Sequence, residues 1–129
     1  MLAQAHYDRH LGPVYTWMVG GADAAIERGV VEIGLLQLAP RRTGTAVDLG
    51  AGFGAHAIPL ARGGFRVLAI DSCALLLDEL NARKAALPIE AVRADLQSFP
   101  EHLTADPELI LCMGDTLTHL ADEATVRRL

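Results

Sequence analysis

Long apolar runs are missing from this chain: none approaches the roughly 20 residues a membrane-spanning helix needs. The segment from Met1 to Arg9 lacks the basic start and continuous apolar stretch of a signal peptide, so a soluble, cytoplasmic protein is expected. Positive charge is scarce and scattered. Eleven Lys and Arg stand against sixteen Asp and Glu, the net charge is −5, and Arg41-Arg42 and Arg127-Arg128 are the only paired arginines. That disfavours nucleic acid as a partner, because phosphate contacts need a basic stripe. The two cysteines, Cys73 and Cys112, form no C-x-x-C and are expected as separate thiols. There is no H-E-x-x-H, and His6 with His10 gives an i, i+4 pair lacking a third ligand, so no metal site is expected. Aromatics make up only 5%, and both tyrosines and the single tryptophan lie between Tyr7 and Trp17.

What is present suits one domain. The chain has 129 residues, of which 51% are apolar, enough for a core. Residues 4–19 read as a helix broken at Gly12-Pro13, carrying Tyr7, Leu11, Val14, Tyr15, Trp17 and Met18. It serves either as a flap over a partly apolar ligand or as a helix packed on the core. Residues 23–39 read as an amphipathic helix, with Asp23 as N-cap, Ile26, Val30, Ile33, Leu36 and Leu38 as the buried stripe, and Pro40 as the stop. Gly29 and Gly34 either weaken it or permit close packing.

From residue 45 the pattern alternates. A strand over 45–49 meets a glycine turn and a helix to about residue 62, ended by Gly63-Gly64. A second strand over 65–70 finishes at Asp71. A helix capped by Ser72 follows, with Leu76, Leu77, Leu80 and Leu87 on its apolar face and Pro88 as the stop. A third strand over 89–94 closes at Asp95, then a polar loop over 97–100, a fourth strand over 109–113, a loop, and a helix from His119. Such alternation predicts a parallel sheet with right-handed crossovers and a ligand beyond the carboxyl ends of its strands. Asp48, Asp71 and Asp95 fall at or near three such ends. One acid there is an ordinary cap or solvated group; three beside a glycine turn point to a ligand.

Gly50, Gly52 and Ala55 satisfy the dinucleotide pattern G-x-G-x-x-G/A. Three features point away from NAD. Asp48, expected inside the turn, would repel a pyrophosphate and favour an ammonium. Glycine recurs at Gly54, giving D-x-G-x-G-x-G. A substantial helical segment also precedes the first strand.

The run V-D-L-G-A-G-F-G from Val47 to Gly54 resembles the first motif of class I S-adenosylmethionine-dependent methyltransferases. Val67 to Ser72 is similar to their second strand with its ribose-binding acid, Ala94 to Leu96 to the adenine-binding segment, and Leu111 to Gly114 with the loop to His119 to the fourth strand and its motif. Tyr7 to Met18, with Gly20-Gly21, resembles the N-terminal cap of small-molecule members. The resemblance implies an α/β fold: a Rossmann-like parallel sheet with helices on both faces, a helical cap over 1–43, and an S-adenosylmethionine-binding domain over 44–129. It implies that Asp48 receives the methionyl ammonium, that backbone at Gly50, Ala51 and Gly52 approaches the cofactor, that Asp71 with Ser72 holds the ribose, that Asp95 and Leu96 hold the adenine, and that Met113 lies near the methionyl part. His56, in the first turn of the motif helix, is either near the cofactor or exposed, and exposed is the preferred reading. On the side of a small-molecule acceptor the candidates are Tyr15, Trp17, Asp115 and His119, with His119 and Tyr15 as catalytic candidates. Members of the family usually have seven strands and four are read here, so the cofactor half is expected in outline, with a sheet edge open to a second copy of the chain. The alternatives from other classes are a non-catalytic association module and an NAD-binding protein.

Overall fold

A computed structural model describes residues 21–113. The expected helix over 4–19, His6, His10 and the helix from His119 lie outside the described residues. The elements are α1 (Ala22–Leu35), β1 (Thr45–Leu49), α2 (Ala57–Arg62), β2 (Arg66–Asp71), α3 (Ala74–Arg83), β3 (Ile89–Arg93), a 3-10 helix (Leu96–His102) and β4 (Leu109–Cys112).

Four parallel strands lie in the order β3-β2-β1-β4. Register sets Val47 beside Leu68 and Ile110, and Asp48 beside Ala69 and Leu111. Side chains alternate along a strand, so each strand divides its apolar residues between two faces. Ala46, Val67, Ala69, Ile89 and Leu111 share one buried cluster with Ile26 and Ile33 of α1, Ile58 and Leu60 of α2, and Leu77 and Leu80 of α3. Val47, Leu49, Leu68 and Ile70 point the other way and are covered by Leu96 and Phe99. Among the described residues the three α-helices thus flank one face, and the 3-10 helix flanks the other. The segment expected as a polar loop over 97–100 is in fact this 3-10 helix, because Phe99 is buried and Asp95 caps its start, accepting the Gln97 N–H at 3.1 Å.

The helix ends differ from the sequence expectation. Asp23 does not cap α1: the N-cap is Gly21, and Asp23 pairs instead with Arg83 of α3 at 2.7 Å. Nor does Pro40 end it. Gln37 takes a left-handed φ of 55°, Leu38 N–H donates to Ile33 and Gln37 N–H to Gly34, each at 3.1 Å, closing a Schellman turn. The buried stripe is Ala22, Ala25, Ile26, Gly29 and Ile33, while Val30 and Leu36 are exposed. Ser72 does not cap α3, whose N-cap is Cys73, and α3 stops at Arg83, ahead of Pro88. Gly64 closes α2 as expected, with a φ of 108° and Phe65 N–H on Leu60 at 3.1 Å.

Candidate functional site

The turn after β1 grows directly out of the sheet. Gly50 and Ala51 both donate N–H groups to the Ile70 carbonyl, at 2.8 and 3.0 Å, which carries the pairing with β2 past the end of β1. Gly50, Gly52 and Gly54 then all take positive φ, of 74°, 55° and 101°. An L-residue is strained at each. At Gly54 a Cβ would also lie 2.5 Å from Leu80 Cδ1 and 3.0 Å from Ile58 Cδ1, so a side chain there would force those neighbours to shift. Between the glycines, Phe53 inserts its ring among Ala22 and Ala25 of α1 and Cys73 and Leu76 at the start of α3. Sequence reasoning missed this wedge, although a single large apolar residue among glycines was its signal.

Asp71, the last residue of β2, is buried and tied at both oxygens. Oδ2 accepts the Gly52 N–H at 2.8 Å and Oδ1 the Cys73 N–H at 2.8 Å. One carboxylate therefore fixes the glycine turn to the start of α3. Beside it, the Ser72 carbonyl accepts Arg93 Nε at 3.2 Å. The Ala94 N–H donates to the Asp71 carbonyl at 3.0 Å, which brings β3 and the exposed Asp95 alongside. Leu96 points into the core with 8% exposure, and Met113, half-buried, packs at the end of β4.

Asp48 departs from expectation. It lies inside β1 rather than in the turn, 2% exposed, because alternation along the strand sends its side chain to the helix-covered face. Its carboxyl is pushed up to about 8, first by burial and then by repulsion from Asp71, against a lowering hydrogen bond from the Ala57 backbone at the start of α2. Its Oδ2 has no hydrogen-bond partner among the described residues. His56 is not exposed as expected: at 18% side-chain exposure it faces Glu32 of α1 at 3.3 Å. Tyr15, Trp17, Asp115 and His119 lie outside the described residues.

The structure thus gathers Gly50, Ala51, Gly52, Asp71, Ser72 and Asp95 along the carboxyl ends of adjacent strands, with Asp48 beneath them. Glycine backbone open to close approach, two acids able to accept from hydroxyl or amino groups, and a buried carboxyl that a cation would ionise suit a polar ligand rich in donors and positively charged. At the opposite end of the sheet, Glu108 accepts N–H groups from Arg41, Arg42 and Gly44, pinning the loop before β1 to the start of β4. The sequence offered no signal for that pin.

A sequence profile described as methyltransferase domain matches residues 46–129. Two curated relatives are glycine/sarcosine N-methyltransferases. The one from Aphanothece halophytica is 27% identical over 84 residues, 64% of this chain and 32% of its own. The one from Halorhodospira halochloris is 28% identical over 94 residues, 71% of this chain and 35% of its own. The chain therefore spans about a third of the length of these relatives. Among solved structures, magnesium protoporphyrin IX methyltransferase from Synechocystis PCC 6803, with bound S-adenosylmethionine, shares the fold. Its TM-score is 0.71 at 18% identity, covering 98% of this chain and 66% of that one.

Proposed function

The chain belongs to the methyltransferase domain family, and on that premise we propose that it binds S-adenosylmethionine across the carboxyl ends of β1, β2 and β3 and serves methyl transfer to a small-molecule acceptor. Asp71 carries the reading. Its two oxygens hold the glycine turn and the start of α3 through backbone donors, which fixes a carboxylate at the carboxyl end of β2, where a ribose-binding acid would stand. In this reading Ser72 flanks the ribose. Asp95 accepts from the adenine amino group beside Leu96. Backbone at Gly50, Ala51 and Gly52 lies against the cofactor, which carries no phosphate, and Met113 borders its methionyl part. Asp48 lies beneath the turn with its carboxyl raised to about 8; a ligand ammonium would draw off its proton and pair with the carboxylate, which a pyrophosphate could not do. Methyl transfer needs the acceptor aligned with the sulfonium methyl, so positioning supplies much of the rate. His119 and Tyr15 are the proposed groups on the acceptor side. Residues 1–43 cap a cofactor-binding unit of 44–129 in a cytoplasmic protein. Among the described residues β4 is an edge strand, and its side away from β1, where Ile110 is 48% exposed, is proposed to pair with a second copy of the chain.

Calorimetric titration with S-adenosylhomocysteine tests the reading. Saturable heat is expected from the wild type, with none from NADH, and Asp71→Ala should lose it. No heat at high micromolar ligand, or preference for NADH, would overturn the assignment.

A further inference from the structure

The residues of α1 that meet the glycine turn lie on one stripe. Ala22 and Ala25 share a buried cluster with Phe53, Gly29 comes up against Ala55, and Glu32 meets His56 at 3.3 Å. Spacings of three, four and three place these four positions on one side of a helix. Moving along α1, the contacts follow the turn in order, through residues 53, 55 and 56.

Gly29 is the closest of these approaches. A Cβ built there would lie 1.9 Å from the Ala55 carbonyl oxygen, 3.0 Å from its carbon and 3.2 Å from Pro59 Cγ. Pro59 explains why that carbonyl can serve as a seat. The helical donor for Ala55 would be the N–H four residues on, and proline has none. A carbonyl that α2 leaves without its usual donor faces α1, and only a residue without a side chain fits against it.

We propose that α1 is a clamp that presets the glycine turn for its ligand, with Gly29 as its positioning residue. The proposal rests on the cofactor-binding reading above. The turn is confined on three sides. Asp71 holds Gly52, Leu80 blocks Gly54, and α1 bears on Phe53, Ala55 and His56. A side chain at position 29 has two ways out. If α1 lifts, the Phe53 wedge and the Glu32–His56 contact loosen together. If Ala55 retreats, its neighbour Gly54, packed close to Leu80 and Ile58, must shift with it. Either way the backbone from Gly50 to Gly52, held by the Ile70 carbonyl and Asp71, loses its fixed path, and affinity depends on that path.

The test compares Gly29→Ala with Gly34→Ala and Phe65→Leu, all in the full chain, by S-adenosylhomocysteine titration well below the melting temperature. Gly34 lies on the same helix with nothing within 4 Å of its Cβ position. Phe65 is buried at the far end of β2 and supplies a loss of stability unrelated to the turn. Gly29→Ala should weaken binding roughly tenfold or more, and Gly34→Ala should bind as the wild type does. Phe65→Leu should melt lower yet bind within about twofold of wild type. In amide NMR spectra the Gly50, Gly52 and Gly54 resonances should move in Gly29→Ala and stay in Phe65→Leu. If Gly29→Ala fails to fold, Glu32→Ala removes one contact without a clash and should shift the same three amides. Wild-type affinity in Gly29→Ala, an equal loss in Phe65→Leu, or unmoved glycine amides in Glu32→Ala would overturn the clamp. Absence of binding by the wild type would instead overturn the cofactor reading, and the amide shifts would still decide whether α1 sets the turn.

Discussion

At the end of β1 the Asp48 carboxyl holds its proton to about 8, since burial and the Asp71 charge both oppose ionisation. An acid raised in the folded state keeps its full contribution to stability below its ordinary value. It loses that contribution as pH rises through the folded value, at about 1.4 kcal/mol per pH unit. Asp48→Asn should therefore melt higher than wild type at pH 8 and flatten the melting profile between pH 4 and pH 8, as thermal denaturation across that range would measure. Glu108 behaves oppositely. Burial raises its carboxyl, but N–H groups of Arg41, Gly44 and Arg42 and the Arg42 charge outweigh it, so its value is lowered. Its contribution is present above the ordinary carboxylate value and fades as pH falls through the folded one. Glu108→Gln should lower the melting temperature at neutral pH, with the difference from wild type vanishing in acid. Only one of these two residues was legible in the sequence. Asp48 stands in a motif, though alternation along β1 places it deeper than the motif suggests. Glu108 acts on a loop more than sixty residues earlier, which no local pattern encodes.

The elements follow the apolar pattern closely and the stop signals less well. All four strands fall at their expected places: β1, β2 and β4 leave largely apolar traces ending in an acid or glycine, as buried parallel strands do, while β3 carries exposed Glu90 and Arg93. The C-terminus of α1 was misread because Gln37 takes the left-handed place usually given to glycine. Its buried stripe holds the expected Ile26 and Ile33, but Ala22, Ala25 and Gly29, not the larger Val30 and Leu36, complete it. The 3-10 helix hid behind its polar residues, yet Phe99 and Leu96 cover four strand residues on the sheet face away from the α-helices. Phe99→Ala should cost about 3–5 kcal/mol, a large part of the stability of a domain this size. Urea denaturation measures it, and a loss under about 1 kcal/mol would show that the 3-10 helix is not an essential cover.

Across the whole molecule, parallel strands with right-handed crossovers bring residues from distant parts of the chain to one end of the sheet. Gly50, Asp71 and Asp95 come from three successive strand ends, and a sequence reader can align them because each strand ends in a polar residue or glycine. The clamp from α1 was not legible in that way. It depends on how closely two helices approach, which a glycine and a proline thirty residues apart do not announce. Among the described residues no helix is long and apolar enough to cross a membrane. The most direct measurement is a crystal structure of the chain with S-adenosylhomocysteine bound. The ribose hydroxyls should lie within hydrogen-bond distance of Asp71, the adenine beside Asp95 and Leu96, and the methionyl chain over Gly50 to Gly52. A ligand seated elsewhere, or a ribose out of reach of Asp71, would contradict the assignment of this turn as a methyltransferase cofactor site.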